Sequence, residues 1–342
     1  MGTRLGRGPL AKEADMTNSD TTVDRLTLGD TDIIRVIEWL GPITSVSNLF
    51  PSTPKEVWDE NAGWLDPHFY DKATGAYRAA IQTWVVRTRG TTVLVDTGVG
   101  NDRDRPQIAL FDHLNTDFPA RLAAAGIDPH DVDIVVNTHI HYDHVGWNTH
   151  RADEKAATDA GSARPRWTPT FPNATYLVPR ADFEYFHPDN AAKMRPARTD
   201  DERRRFEGIR LVFADSIAPI EDAAQLSTWS GEHRLGDNLV LREAPGHTPG
   251  SSVLWLEDGP GAVFVGDLLH TPVQILRPDD ACSFDLDPAQ ARLSRRSVLT
   301  QAARLGSLVL PAHLAGHGAL SITTNTDTNA YTITTWPDLT PR

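Results

Sequence analysis

The twelve residues DIVVNTHIHYDH, at positions 133–144, join a strand-like apolar run to three histidines and one aspartate. Four more apolar runs in the chain also end in a histidine or an aspartate, at Asp96, His247, Asp267 and His313. Imidazoles and carboxylates delivered from the ends of several buried strands are typical of a metal site on a rigid frame. The pattern therefore predicts a hydrolytic site that holds two metal ions.

The spacing within the histidine cluster indicates two binding points. His139 and His141 are two residues apart, which in an extended segment places both imidazoles on the same side. Asp143 and His144 follow at once, where a tight turn can direct them to a second point. Imidazole and carboxylate donors without a thiolate suit zinc, manganese, cobalt or iron. A two-metal site needs about six or seven protein ligands, and the ends of the apolar runs supply that number.

We therefore expect two divalent metal ions per chain, zinc foremost, with manganese, cobalt or iron as alternatives. The predicted ligands form two sets joined by one aspartate: His139, His141 and His247 for the first ion, Asp143, His144 and His313 for the second, and Asp267 between them. Asp96 is predicted to accept a hydrogen bond from a metal-bound histidine. A hydroxide that bridges the metals is the expected nucleophile, because two cations lower the pKa of bound water toward neutrality.

The composition excludes several classes of partner and site. A net charge of −13 disfavours nucleic acid, which needs clustered Lys and Arg to neutralise its phosphates. With Cys282 as the single cysteine, neither an intrachain disulfide nor a cysteine-based zinc knuckle can form, and this thiol is interpreted as buried. The chain has no apolar run of 18 residues, so we expect no membrane partner and a cytoplasmic location.

The order of the apolar segments predicts one domain. Residues 1–26 are expected to be a disordered leader, 27–338 the domain, and 339–342 a tail. Strands and helices alternate with interleaved hairpins, which disfavours a simple parallel sheet. We expect an α/β (α+β) fold of two mixed β-sheets packed face to face with helices outside, a four-layer αββα sandwich.

Local patterns predict several further features. Residues 41–75 are rich in Pro, Gly and Trp and are expected to form a long irregular loop, which could cover the site or contact a second subunit. Arg89-Gly90 is expected to be a hairpin turn, and the polar segment 151–166 a surface insertion. The apolar spacing over 287–305 predicts a helix, with Leu293 on or near its apolar face.

The motifs together resemble those of a known family. HIHYDH matches the HxHxDH motif of the metallo-β-lactamase fold, and DTG at 96–98, PGHTPG at 245–250, Gly266-Asp267 and His313 match its other signatures in the same order. The resemblance extends over residues 33–336. It implies the four-layer αββα fold and a metal-dependent hydrolase.

Details within the motifs favour one subgroup. Flavodiiron oxidoreductases carry a glutamate where His141 stands, and β-lactamases with this motif lack the bridging aspartate that Asp267 supplies. Acyl-homoserine lactonases share the ligands but carry a tyrosine at the position of His270. The segments GDLLHTPVQ at 266–274 and PAHLAGHG at 311–318 resemble methyl parathion hydrolase and its relatives. Those enzymes hydrolyse phosphotriesters and, in several members, aryl esters or lactones.

We accordingly expect hydrolysis of a small-molecule lactone or aryl ester, with phosphotriesters as promiscuous substrates. A methyl-parathion-type organophosphate hydrolase is the alternative. A glyoxalase-type thioesterase, a β-lactamase and a non-catalytic metal-binding protein are further alternatives, whereas the negative charge disfavours a nuclease.

The predicted catalytic residues are Asp267, Asp143 and His270. Asp267 is expected to orient the nucleophile, and His270 to protonate or stabilise the leaving group. Five aromatic residues fall where the family lines its pocket and are candidates for contact with substrate: Trp147, Trp167, Phe171, Phe183 and Phe186. The resemblance also suggests a homodimer.

Overall fold

The protein is described from a computed structural model that covers residues 23–152, 166–191, 196–325, 328, 330–337 and 340–341. The strands of these residues are β1 (Val23–Leu28), β2 (Thr31–Ser45), β3 (Tyr70–Asp71), β4 (Ala76–Thr88), β5 (Thr91–Val95), β6 (Ile134–Val136), β7 (Thr149–Arg151), β8 (Trp167–Pro169), β9 (Thr175–Pro179), β10 (Leu226–Trp229), β11 (Glu232–Leu235), β12 (Leu239–Glu243), β13 (Ser252–Leu256), β14 (Ala262–Gly266), β15 (Leu308–Pro311), β16 (Ser321–Asn325), β17 (Ala330–Thr335) and β18 (Thr340–Pro341).

The helices of the same residues are α1 (Val46–Leu49), α2 (Lys55–Leu65), α3 (Phe118–Ala124), α4 (Arg180–Phe186), α5 (Pro188–Ala191), α6 (Asp200–Val212), α7 (Ala218–Asp222), α8 (Val273–Leu276) and α9 (Pro288–Leu305). A π-helical turn, Phe213–Ile217, joins α6 to α7. Among these helices, none combines the length and the apolar character that a membrane crossing requires.

Two β-sheets pack face to face at the centre of the molecule. The larger sheet has the order β10-β9-β6-β5-β4-β2-β1-β18, with β3 paired to β4, and the smaller has the order β11-β12-β13-β14-β15. Alternate residues of each strand point to opposite faces. Val86 and Val95 of the larger sheet pack with Leu254 and Phe264 of the smaller sheet in one buried cluster between them.

Helices cover the outer face of each sheet. Phe118 and Leu122 of α3 pack against Val85 of the larger sheet. Val298 and Leu299 of α9 belong to the cluster on the outer face of the smaller sheet. The predicted four-layer αββα arrangement is therefore confirmed.

This topology brings the ends of the apolar runs to one edge of the sandwich. β5 and β6 are parallel neighbours in the larger sheet, and β14 and β15 are parallel neighbours in the smaller one. The segments that carry Asp96, His139, Asp267 and His313 follow these four strands. Because the carboxyl ends of parallel strands lie on the same side of a sheet, the polar residues that follow them converge.

The larger sheet extends beyond both predicted boundaries of the domain, 27 and 338. β1 begins at Val23, inside the segment 1–26 predicted as a leader, and the rest of that segment, 1–22, lies outside the described residues. Thr340–Pro341 of the predicted tail pairs with β1. Most of the predicted insertion at 151–166 also lies outside the described residues, and β7 and β8 at its two ends pair with each other.

The prediction of a long irregular loop over 41–75 was wrong. β2 continues to Ser45, and α1, α2 and β3 follow within the segment. Trp58, Ala62 and Leu65 of α2 are buried at helical spacing, so a helix buries the aromatic residues that suggested a packed loop.

Two other local predictions concern the turn between β4 and β5 and the helix α9. The turn at Arg89-Gly90 is confirmed, since both residues have the positive φ that a tight hairpin turn requires. The helix predicted over 287–305 is confirmed as α9, but Leu293 is 56% exposed and does not lie on its buried face.

Candidate metal centre

Seven histidine and aspartate side chains meet in two groups at the edge where the strands end. The first group is His139, His141, His247 and Asp267, and the second group is Asp143, His144 and His313. Each residue offers one nitrogen or oxygen atom, and within a group these atoms all lie within 4.8 Å of one another.

The distances within the first group fit a single four-coordinate ion. His141 Nδ1 lies 3.0 Å from His139 Nε2 and 3.0 Å from His247 Nε2. Asp267 Oδ2 lies 3.2 Å from His247 Nε2 and 3.7 Å from His139 Nε2. Ligand atoms around a tetrahedral ion with bonds of about 2.0–2.1 Å are separated by roughly 3.3 Å. The four atoms therefore surround a space of the size that a divalent metal ion fills.

Asp267 faces both groups. Its Oδ2 points to the first group, whereas its Oδ1 lies 3.1 Å from His144 Nε2 and 2.9 Å from His313 Nε2 in the second group. Oδ1 is buried and has no hydrogen-bond partner among the described residues. Burial raises the pKa of Asp267, but the imidazoles of His144 and His313 outweigh it and hold this pKa well below its usual range. An ionised carboxylate placed in this way can bind a cation on each side.

The outward-facing nitrogens of four histidines have hydrogen-bond partners. His144 Nδ1 lies 2.8 Å from Asp96 Oδ2, His247 Nδ1 lies 3.1 Å from Asp285 Oδ1, and His313 Nδ1 lies 3.0 Å from the Ala80 carbonyl oxygen. His139 Nδ1 lies 3.1 Å from the hydroxyl of Thr138. A proton on Nδ1 leaves the Nε2 lone pair directed into the group, which is the arrangement that metal-bound histidines adopt. The residues present therefore fit a pair of divalent ions.

The pKa values of the buried histidines are shifted in opposite directions within the site. Burial and then the neighbouring His144 and His141 lower the pKa of His139 well below its ordinary value. Burial also lowers the pKa of His144, but the carboxylates of Asp267 and Asp96 outweigh it and raise this pKa well above its ordinary value. Because metal ions bind neutral imidazole, a cation that enters the second group displaces a proton.

Gly266 allows the two sheets to approach each other beside the site. It precedes Asp267 and has a φ of +50°. A Cβ at this position would lie 2.7 Å from the hydroxyl oxygen of Thr138, which precedes His139. Glycine therefore permits the close contact that sets Asp267 next to the histidine cluster.

A cavity of about 670 Å³ opens onto both groups. His141, Asp143, His247, Asp267 and His313 form part of its wall. Most of the other described lining residues are apolar or aromatic, among them Ile43, Leu49, Phe186, Phe206, Ile209 and Phe284. Such a mixture of apolar wall and few polar groups is typical of a site for a small organic molecule.

Four of the five aromatic residues predicted to contact substrate lie elsewhere, and only Phe186 is among the described residues that line the cavity. Trp147 stacks on Phe118 in the core, and Phe171 is fully buried. Trp167 covers the guanidinium of Arg103, and Phe183 packs on Phe213. These side chains stabilise the fold around the site, which is the commoner role of large aromatic residues.

His270 lies in the wall of the cavity beside Asp267. Its Nε2 is 3.2 Å from Asp267 Oδ2, yet neither ring nitrogen makes a hydrogen bond of acceptable geometry among the described residues. Its backbone is held firmly, because its N–H donates to Gln274 and its carbonyl accepts the hydroxyl of Tyr77. Burial lowers the pKa of this imidazole. The ring is therefore fixed in place with polar atoms available to a bound molecule.

The sequence interpretation missed one outer carboxylate. Asp285 and Asp287 both precede α9, where aspartates commonly make turn and helix-cap contacts. Asp287 does cap α9 by accepting a hydrogen bond from the N–H of Gln290. Asp285 instead contacts His247 as well as the N–H of Cys282. Its position five residues after a Pro-Asp-Asp turn gives no sequence signal for a contact with a histidine 38 residues away.

The family model of the metallo-β-lactamase superfamily matches residues 77–164 and 167–313. The chain belongs to this superfamily. The match includes all seven residues of the two groups, and the resemblance inferred from the motifs is thereby confirmed.

Individual relatives and solved structures are consistent with this assignment. The N-acyl homoserine lactonase AttM of Azorhizobium caulinodans is 35% identical over 133 residues, which are 38% of each chain. AttM of Rhizobium johnstonii is 31% identical over 135 residues, 38% of this chain and 43% of the relative. The chain thus spans about two fifths of the length of these relatives.

Two solved structures share the fold over nearly the whole chain. The hydrolase AbOPH of the β-lactamase superfamily superposes with a TM-score of 0.71 at 24% identity, covering 93% of this chain and 99% of the other. AidC, a dizinc quorum-quenching lactonase, also gives a TM-score of 0.71, at 19% identity and the same coverage. At these identities the likeness concerns the fold alone.

Proposed function

We propose that the protein is a metal-dependent hydrolase that cleaves a small lactone or aryl ester. The observation that carries this proposal is the pair of ligand groups that share Asp267 and open onto one largely apolar cavity. The proposed ligands of the first ion are His139, His141 and His247, those of the second are Asp143, His144 and His313, and Asp267 serves both. The identity of the metals as zinc, the homodimer and the cytoplasmic location stay predictions from the sequence.

The side chains around the cavity have distinct proposed roles. Two divalent ions, when bound, would supply a hydroxide nucleophile at neutral pH and would polarise the scissile carbonyl. Asp267 lies between the groups and can hold the nucleophile by accepting its proton in a hydrogen bond. His270 can donate a hydrogen bond to the leaving oxygen, since it lines the cavity and its ring nitrogens make no hydrogen bond of acceptable geometry among the described residues. Asp96 and Asp285 keep His144 and His247 in the orientation that the ligand groups require.

The character of the cavity favours an uncharged substrate with an apolar portion. The apolar wall removes water and stabilises an apolar acyl or aryl group by burial. The lactonase names of the AttM relatives support a lactone in particular. Phosphotriesters are also uncharged, so a methyl-parathion-type activity is the second candidate.

A panel of substrates tests the proposal. Purified protein is assayed with dihydrocoumarin, an N-acyl homoserine lactone, phenyl acetate, methyl parathion and a glutathione thioester, before and after removal of metal by chelation. We expect metal-dependent turnover of a lactone or aryl ester, and a loss of about 100-fold or more in Asp267→Asn. The matched control is Asp237→Asn, because the Asp237 side chain is 88% exposed on the surface. Turnover of the thioester alone, or full activity in Asp267→Asn, would contradict the proposal.

A further inference from the structure

The two loops that carry the histidines of the first group both contact one buried carboxylate. We propose that Asp182 is a positioning residue that locks these loops together and thereby sets the affinity of the first group for its metal ion. The inference rests on the proposed metal centre and adds to it a residue that touches neither the ligands nor the cavity.

Asp182 lies in the first turn of α4 and is fully buried. Its Oδ2 accepts hydrogen bonds from the N–H of Ile140, at 2.9 Å, and from the hydroxyl of Thr248, at 2.9 Å. Its Oδ1 accepts the N–H of Gly250, at 2.6 Å. Ile140 stands between His139 and His141, and Thr248 directly follows His247. One carboxylate therefore holds the backbone next to all three histidines of the first group.

The contact is close because Gly250 has no side chain. A Cβ on Gly250 would lie 2.6 Å from the backbone nitrogen of Asp182 and 2.8 Å from its Oδ1. Since Gly250 does not have a positive φ, alanine is free of backbone strain there. Gly250→Ala therefore displaces Asp182 without changing a polar group.

A carboxylate is needed because all three partners donate. An asparagine can keep one acceptor oxygen, but its amide NH₂ then faces another donor. If the oxygen stays with Ile140 and Thr248, the NH₂ group faces the N–H of Gly250. One loop must then move away from α4, and the three histidines lose their common geometry. A second link, from Ser252 to the carbonyl of Thr138, joins the same loops and keeps the fold intact.

The test measures metal binding rather than turnover. Metal-free full-length protein is titrated with Co²⁺ while the visible d–d bands are recorded, and the affinities are obtained by competition with a chelator. In Asp182→Asn and in Gly250→Ala we expect one of the two ions to bind about 10–100-fold more weakly, with altered d–d bands, while the affinity for the other is unchanged.

Two control variants separate positioning from general destabilisation. Asp215→Asn removes another buried carboxylate, one that pairs with Arg103 and Arg105 at 2.8 Å each and lies outside both ligand groups. Gly63→Ala matches Gly250→Ala, because a Cβ on Gly63 meets nothing within 4 Å. Both controls should bind two ions with the affinity of the original protein.

The outcomes distinguish this inference from the proposed function. If the original protein binds two ions and both variants retain both affinities, the positioning role is refuted while the hydrolase proposal stands. If Asp215→Asn weakened the binding of both ions equally, the inference would also be overturned, because the loss of metal affinity would then result from lower stability. If the original protein binds no stoichiometric metal, the proposed function itself fails. Should Asp182→Asn not fold, Gly250→Ala, which leaves the carboxylate and its three donors in place chemically, decides between these results.

Discussion

Replacing Asp285 by asparagine should weaken metal binding in the first group. The Asp285 side chain is completely buried, and its Oδ1 lies 3.1 Å from His247 Nδ1. Its Oδ2 accepts the N–H of Cys282 and lies 3.6 Å from the guanidinium of Arg295. The carboxylate therefore fixes the tautomer and ring orientation of His247 and also balances a buried positive charge.

The size of the effect follows from these contacts. Loss of the outer partner of a metal-bound histidine lowers metal affinity by about 10–100-fold, or roughly 1.4–2.7 kcal/mol. Removal of one member of a buried ion pair costs up to about 3–5 kcal/mol. The Arg295–Asp285 contact has no hydrogen bond, and Arg295 also donates to the carbonyls of Leu268, Pro278 and Asp280. We therefore expect the metal-free variant to lose on the order of 2 kcal/mol in its free energy of unfolding.

Chelator competition gives the metal affinity, and urea unfolding of the metal-free protein gives the stability. Asp287→Asn is the matched control: it changes the same residue type two positions away, and asparagine caps a helix as well as aspartate does. A metal affinity of Asp285→Asn within twofold of the original protein would show that Asp285 does not support His247.

Two further predictions concern residues away from the ligands. Gly318 has a φ of +71°, and a Cβ there would lie 2.8 Å from the guanidinium of Arg35, which donates to two carbonyls just after His313. Gly318→Ala should therefore lower the free energy of unfolding by about 1–3 kcal/mol more than Gly236→Ala, which has the same φ but open space around it; equal losses in urea unfolding would contradict this. Burial raises the pKa of Asp182 from 3.8 to about 6. The folded state binds this proton more tightly than the unfolded state does. The protonated carboxyl therefore stabilises the fold below pH 4, and this stabilisation is lost as the pH rises through 6. The free energy of unfolding of the metal-free protein, relative to that of Asp182→Asn, should fall by up to about 3 kcal/mol between pH 4 and pH 7, and a difference independent of pH would refute the assignment.

The sequence was sufficient to predict the fold and the residues that meet at the site, because both depend on local patterns. Apolar runs of strand length mark the buried strands, and the polar residue at the end of each run marks the edge where parallel strands finish. The HIHYDH cluster supplies its own spacing. These signals do not depend on knowing which strands are neighbours.

The contacts that support the site could not be predicted in the same way. Asp182 and Asp285 are single acidic residues that reach the histidine loops only through the tertiary fold, from 42 and 38 positions away. The positions of the aromatic residues could not be predicted for a related reason. Trp147 and Phe171 have the size and polarity of pocket residues, yet both are buried in the core. Sequence alone does not distinguish the two environments, since both are apolar.

We propose that the two ligand groups hold two metal ions that support hydrolysis. Elemental analysis of metal-depleted and reconstituted protein, with turnover of dihydrocoumarin measured on the same samples, tests it most directly. We predict two equivalents of a divalent metal per chain and activity that returns in step with metal content. Reconstituted protein that is folded but holds no stoichiometric metal would contradict it.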